Sequence, residues 1–117
     1  MLVDQGSLEK VSYQGFQTTK NHKFHKIYYQ EVCYIESLRN HILLLTPLQR
    51  YVSLIAISDM EARLPADAFM RIHRSYIVRL DRIDRFTQSS VVIGEQVLPL
   101  GGAYKEGVLR RLRERVL

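Results

Sequence analysis

The chain has no tryptophan, a single cysteine and three prolines among 117 residues, and these shortages remove whole classes of protein. With Cys33 alone there is no internal disulfide and no cysteine-based zinc site, which fits a reducing, cytoplasmic compartment. Long apolar runs are missing too. The longest, Ile42–Leu45 and Leu54–Ile57, fall far short of the ~20 residues of a membrane span, so no membrane partner is expected. The N-terminal Met1-Leu2-Val3-Asp4-Gln5-Gly6 has no charged segment leading into an apolar one, which argues against a secretory leader. Internal repeats and low-complexity tracts are absent.

The constellations of an enzyme are also missing. His22 and His25 have ligand-like spacing but no third ligand nearby. His73 and Ser75 lack a third member for a nucleophile, base and orienter. Cys33, between Val32 and Tyr34 in a strand-like run, reads as a small buried hydrophobe. The glycines fit neither the phosphate-cradling loop nor the dinucleotide fingerprint. No catalytic residue, metal site or cofactor is therefore expected.

What the sequence does have is arginine. Basic residues outnumber acidic ones 17 to 12 for a net charge of +5, and twelve of the seventeen are Arg. Arg71, Arg74, Arg79, Arg82 and Arg85 crowd one short segment with His73, offset only by Asp81 and Asp84. The planar guanidinium suits phosphate oxygens and the guanine edge, so the cluster raises nucleic acid as a partner, against the plainer reading of a solvated charged face.

Residues 1–10 are polar and non-periodic and read as a linker, so the expected domain is 11–117. Val11, Tyr13, Phe16 and Thr18 alternate as a strand does, Lys20–Lys23 turns the chain, and Ile27–Tyr29 returns. Val32–Leu38 and Ile42–Leu45 make a hairpin with its tip at Arg39–His41, and Tyr51–Ile55 adds a strand. Glu36, a carboxylate inside an apolar run, needs solvent or a partner, which the Arg-rich segment could supply. Ser58-Asp59-Met60-Glu61 has the pattern of a capping box, and Ile57, Met60 and Leu64 give the short helix an apolar stripe that Pro65 ends. Val78, Leu80, Ile83 and Phe86 suggest an interrupted strand. Gly94-Glu95 between Val91–Ile93 and Gln96–Leu98 fits a two-residue type II′ turn. Val108, Leu109, Leu112 and Val116 form the stripe of a C-terminal amphipathic helix.

Several blocks then align in order: Tyr34-Ile35-Glu36-Ser37, Asn40-His41, Glu61-Ala62-Arg63-Leu64-Pro65, Phe69-Met70-Arg71-Ile72-His73-Arg74-Ser75-Tyr76-Ile77-Val78, Ile83, Val91–Ile93, Leu98-Pro99-Leu100 and Tyr104-Lys105. Together, from Gly15 to Leu117, they resemble the LytTR family of bacterial DNA-binding domains. The resemblance implies a mainly β fold, an elongated set of three small antiparallel sheets with short helices. It also implies the output module of a two-component response regulator, with an N-terminal receiver domain in the native protein. Such domains act as pairs of protomers on repeated promoter half-sites of double-stranded DNA, entering the major groove with loops. Carried over, the contact loops fall at Arg39-Asn40-His41, at Arg74 after His73, and after Leu100. There Gly101-Gly102 stands where many members carry Ser-Arg, leaving Lys105 as the nearest basic side chain.

Residue chemistry divides the candidates. Asn40, His41 and Arg74 can read base edges, Asn by pairing with adenine and Arg with guanine. Arg39, Arg71, His73, Arg79, Arg82, Arg85, Gly102 and Lys105 are candidates for the sugar-phosphate backbone. Two other readings are a small β-fold RNA-binding module and a protein-interaction module. Stacking on single strands would use Tyr13, Tyr28, Tyr29 or Tyr34, which strand alternation assigns to the core.

Overall fold

The computed structural model describes residues 9–10, 15–20 and 23–115. Its strands form three antiparallel sheets, the architecture the resemblance implies. The first sheet contains β1 (Glu9–Lys10), β2 (Gly15–Lys20) and β3 (Lys23–Tyr28). β1 corrects the expected 1–10 linker at its last two residues, because Glu9 pairs with Gln17 and Lys10 with Phe16. Backbone pairing of this kind leaves no apolar pattern to read. Val11, Tyr13, His22 and Val116 lie outside the described residues.

A 3-10 turn at Tyr29–Glu31 leads into β4 (Tyr34–Leu38), β5 (His41–Leu45) and β6 (Arg50–Ser53). Helix α1 (Ile57–Arg63) follows, then β7 (Phe69–His73) and β8 (Tyr76–Arg79). These strands assemble in the order β6-β5-β4-β8-β7. After a second 3-10 turn, Leu80–Arg82, come β9 (Arg85–Phe86), β10 (Ser90–Ile93) and β11 (Gln96–Pro99), and the chain closes with α2 (Lys105–Arg113). Gly94 has φ +59°, the positive value that the first position of its two-residue turn requires.

The five-stranded sheet is the middle layer. Alternation sends Ile35, Ile42, Leu44, Tyr51 and Ile77 to one face, where they pack with Ile27, Val32 and the stripe Ile57, Met60 and Leu64 of α1. Met70 and Val78 point the other way, onto Val91, Ile93 and Leu98 and onto Val108 and Leu112 of α2. Each fully buried side chain of this size stabilises the fold by roughly 1.5–3 kcal/mol. Burial on both faces fixes the register, and register fixes which turns share an end of the sheet.

Packing overrides three local readings. The helix begins at Ile57, with the Asp59 and Met60 N–H groups both donating to Ala56 O at 3.1 Å, so Ser58 lies inside the first turn and caps nothing. Burying Ile57, Met60 and Leu64 on one stripe outweighs a side-chain cap. Glu36 stands opposite Tyr76, its cross-strand neighbour, whose hydroxyl pKa its charge helps to raise, and makes no ion pair with an arginine among the described residues. Tyr28 is 44% exposed and lies outside the core, whereas Tyr29 packs edge-on against Phe69 at 5.9 Å.

Candidate nucleic-acid interface

Antiparallel pairing brings three separate turns to one end of the middle sheet. β4 ends where β5 begins, so Arg39 and Asn40 cross over at that end, with Leu38 paired to His41. β8 runs antiparallel to β4, with Tyr76 opposite Glu36, so the Arg74-Ser75 turn that starts β8 lies beside the first turn. One backbone bond joins them, Ser37 N–H to Ser75 O at 2.8 Å. The third segment arrives through Gly101, whose N–H donates to Ile72 O at 2.8 Å. Gly101 O then accepts from Tyr104 and Lys105, both at 2.9 Å, and turns the chain into α2.

These turns carry basic and neutral groups only. Arg39, Asn40, Arg74, Gly102 and Lys105 are exposed, and His41 is half-buried. His41 Nδ1 lies 3.3 Å from Asn40 Oδ1, so the two side chains orient one another when that nitrogen carries the proton. Two nearby carboxylates are paired within the protein, Glu61 with Arg71 at 2.8 Å and Glu106 with Arg110 at 3.2 Å, and Glu36 stands opposite Tyr76. Tyr76 is held above its ordinary pKa by burial and then by the Glu36 carboxylate, so it remains a neutral donor. The exposed charges on Arg39, Arg74 and Lys105 therefore offer an anion an attractive field.

Arg71, His73 and Gly101 build the second turn from below. His73 Nδ1 accepts from the Ser75 N–H at 3.0 Å, which closes the turn and makes His73 a buttress. Arg71 is only 11% exposed in its side chain. Its Nε donates to His73 O at 2.8 Å and one terminal nitrogen to Arg74 O at 2.6 Å. The other terminal nitrogen holds Glu61 on α1, and the guanidinium lies over the Tyr104 ring, 5.6 Å from its centroid. A Cβ on Gly101 would stand 3.2 Å from Tyr104 Cδ2 and 3.3 Å from His73 Cα, a tight fit that glycine relieves where the third segment meets the turn.

The structure removes the remaining arginines from this edge. β8 carries the chain roughly 10 Å to the opposite end of the sheet before Arg79. There Arg79 grips Asp81 with two bonds, 2.7 and 3.2 Å, and lies over Phe69. Arg82 donates to Gln30 O at 2.6 Å. Arg85 sits on β9, in another sheet. Arginine spacing cannot reveal this separation, because it depends on where the strand begins. The supporting parts Glu61, Tyr104, Ser37 and Gly101 have no pairwise signal in the sequence, and Glu61 matches a helix cap equally well.

Turns of a mainly β domain are brought together here at one basic edge. The model of the LytTr DNA-binding domain matches residues 22–111, and the chain belongs to that family. A similar solved structure is the LytTr DNA-binding domain of a protein described as a methyl-accepting/DNA response regulator from Bacillus cereus. The two share a TM-score of 0.73 and 19% identity, over 87% of this chain and 98% of that one. At this identity the likeness is one of fold. No curated protein matches the sequence. Among the described residues no helix is long and apolar enough to cross a membrane.

Proposed function

We propose that the domain reads a particular sequence of double-stranded DNA with this edge and regulates transcription as the output module of a response regulator. The observation that carries the reading is the convergence of three turns, with Arg39, Arg74 and Lys105 exposed on them, at one end of the sheet. Asn40, His41 and Arg74 enter the major groove as readers, and Arg39, Lys105 and the Gly102 backbone lie along the phosphates. Two protomers occupy repeated half-sites about one helical turn apart, since one edge of a domain measuring 42 × 29 × 25 Å covers few base pairs. An N-terminal receiver domain controls the pairing and raises affinity through effective concentration.

Selection of bound sites from a randomised duplex library tests this. A defined repeat should emerge, bound more tightly than random duplex, single strand or heparin, with log K falling by about 0.9 per log unit of salt for each phosphate neutralised. Equal affinity for the repeat and all three competitors overturns the proposal. Preference for single strands would favour an RNA-binding module instead.

A further inference from the structure

Arg71 is largely buried behind the exposed edge, yet it touches the second turn, the third segment and α1. It occupies β7 opposite Ile77, and the register slips between Arg71 and His73, so the strand carries a bulge immediately before the turn. Bulges re-aim the residues that follow them. Here the bulge brings the His73 and Arg74 carbonyls within reach of one guanidinium, at 2.8 and 2.6 Å. Those two carbonyls belong to the peptide planes on either side of Arg74. Fixing both planes fixes φ and ψ of Arg74, and with them the direction of its Cα–Cβ bond. The third donor ties the group to Glu61 on α1, and its flat face rests on Tyr104, the residue that precedes α2.

We propose that Arg71 is a positioning residue. It sets the aim of Arg74 and couples the second contact turn to the third through Tyr104, without itself touching nucleic acid. This rests on the DNA-reading role proposed above and corrects Arg71 as a candidate phosphate contact. A lysine cannot replace it: one ammonium on a flexible stem keeps the charge but cannot hold two carbonyls and a carboxylate in one plane while stacking on a ring.

The test uses Arg71→Lys, Arg74→Ala and the double variant, titrated on the selected duplex and on random duplex at several salt concentrations. Arg71→Lys should lose about tenfold or more on the selected duplex, the scale of a charge-assisted hydrogen bond. Its affinity and salt slope on random duplex should hold. In the Arg74→Ala background the same change should cost little further, because its effect travels through Arg74. In the protein without DNA, amide exchange at Arg74 and Ser75 should quicken. If Arg71→Lys weakens selected and random duplex alike, or costs as much without Arg74 as with it, the positioning role is wrong. If amide exchange does not change, the clamp is absent, whatever the DNA result. Quickened exchange in a parent that prefers no duplex leaves the clamp standing and removes the function it was meant to serve. Should Arg71→Lys fail to fold, Glu61→Ala releases one of the three bonds from an exposed helix and should shift the same ratios in the same direction, by less.

Discussion

The two ends of the middle sheet use the same residue types in opposite ways. At one end Arg39 and Arg74 stand on turns and Lys105 opens α2, all exposed and without an ion pair among the described residues. At the other end Arg79, 12% exposed in its side chain, is bound to Asp81, and Arg82 is bound to the Gln30 carbonyl, with Asp84 nearby in chain. An arginine whose donors are met inside its own protein has little left for a phosphate, and displacing Asp81 would cost what DNA returns. Local charge density does not distinguish the two ends. Unmet donors on a turn do.

The largest expected effects test that contrast directly. Arg74→Ala and His41→Ala should each cost roughly 1–3 kcal/mol on a selected duplex and relax the preference at particular base pairs. Arg79→Ala should leave DNA affinity and salt slope unchanged. It should instead lower the melting temperature, because it removes the stack on Phe69 and the bidentate grip on Asp81. Titrations on selected and random duplex, with thermal melts of each variant, separate the two patterns. If Arg79→Ala weakens binding with melting unchanged, the far end also contacts DNA and the contrast fails.

Part of this contrast is legible in the amino-acid sequence. Strand alternation locates Ile35, Ile42 and Leu44 in the core, and the polar breaks at Arg39–His41 and Gly94-Glu95 lie at or beside hairpin turns. The family blocks lead one to expect Arg74 on a contact loop. The sequence does not separate Arg74 from Arg79, five residues apart, or Glu61 as cap from Glu61 as ion-pair partner. Both distinctions are tertiary: one depends on the length of β8, the other on the packing that brings Arg71 of β7 against Glu61 of α1. The β1 pairing is hidden for a related reason, since a two-residue strand of Glu and Lys has no periodicity.

A smaller effect sharpens the comparison at the third turn, where two adjacent glycines differ. Nothing lies within 4 Å of a Cβ on Gly102, and its φ is not positive, so Gly102→Arg should fold normally. It adds a cation beside Lys105 and should make the salt slope steeper by about 0.9. Gly101→Ala carries a methyl into Tyr104 and the His73 backbone, and should cost about 1 kcal/mol of stability as well as DNA affinity. Melts and salt titrations of the pair decide it. Equal behaviour of the two variants would mean that the close approach at Gly101 does not hold the third turn.

Alkaline pH offers a gentler probe of the same edge. The Tyr76 hydroxyl is raised above its ordinary 10.0 by burial, then by the charge and hydrogen bond of Glu36, and its ring lies 5.5 Å from that of His73. A folded-state value above the unfolded one means that the native protein holds the proton more tightly. The contribution is therefore complete below pH 10 and lost as pH rises through the folded value. Tyr29, Tyr34 and Tyr51 are shifted the same way, chiefly by burial, so the parent should lose stability steadily above pH 10. Tyr76→Phe should make that loss shallower. Denaturant midpoints measured at intervals from pH 8 upward test it, and an unchanged slope would show that Tyr76 titrates alike in both states.

The smallest expected effect separates the stability of the edge from its reading. Ser53 ends β6 opposite Ile42, at the same end of the sheet as the first turn, and it is completely buried. Its hydroxyl has no hydrogen-bond partner among the described residues. A buried hydroxyl with no partner is destabilising, and removing it is neutral or favourable when the side chain that replaces it fits. Ser53→Ala deletes one atom and should raise stability by up to about 1 kcal/mol. DNA affinity should stay constant, because Ser53 faces the core shared with Tyr51 and α1 and not the turns. A lower melting temperature would mean that the hydroxyl is held by a carbonyl or a water. Altered affinity would mean that β6 belongs to the contact edge, making the reading surface four segments wide instead of three.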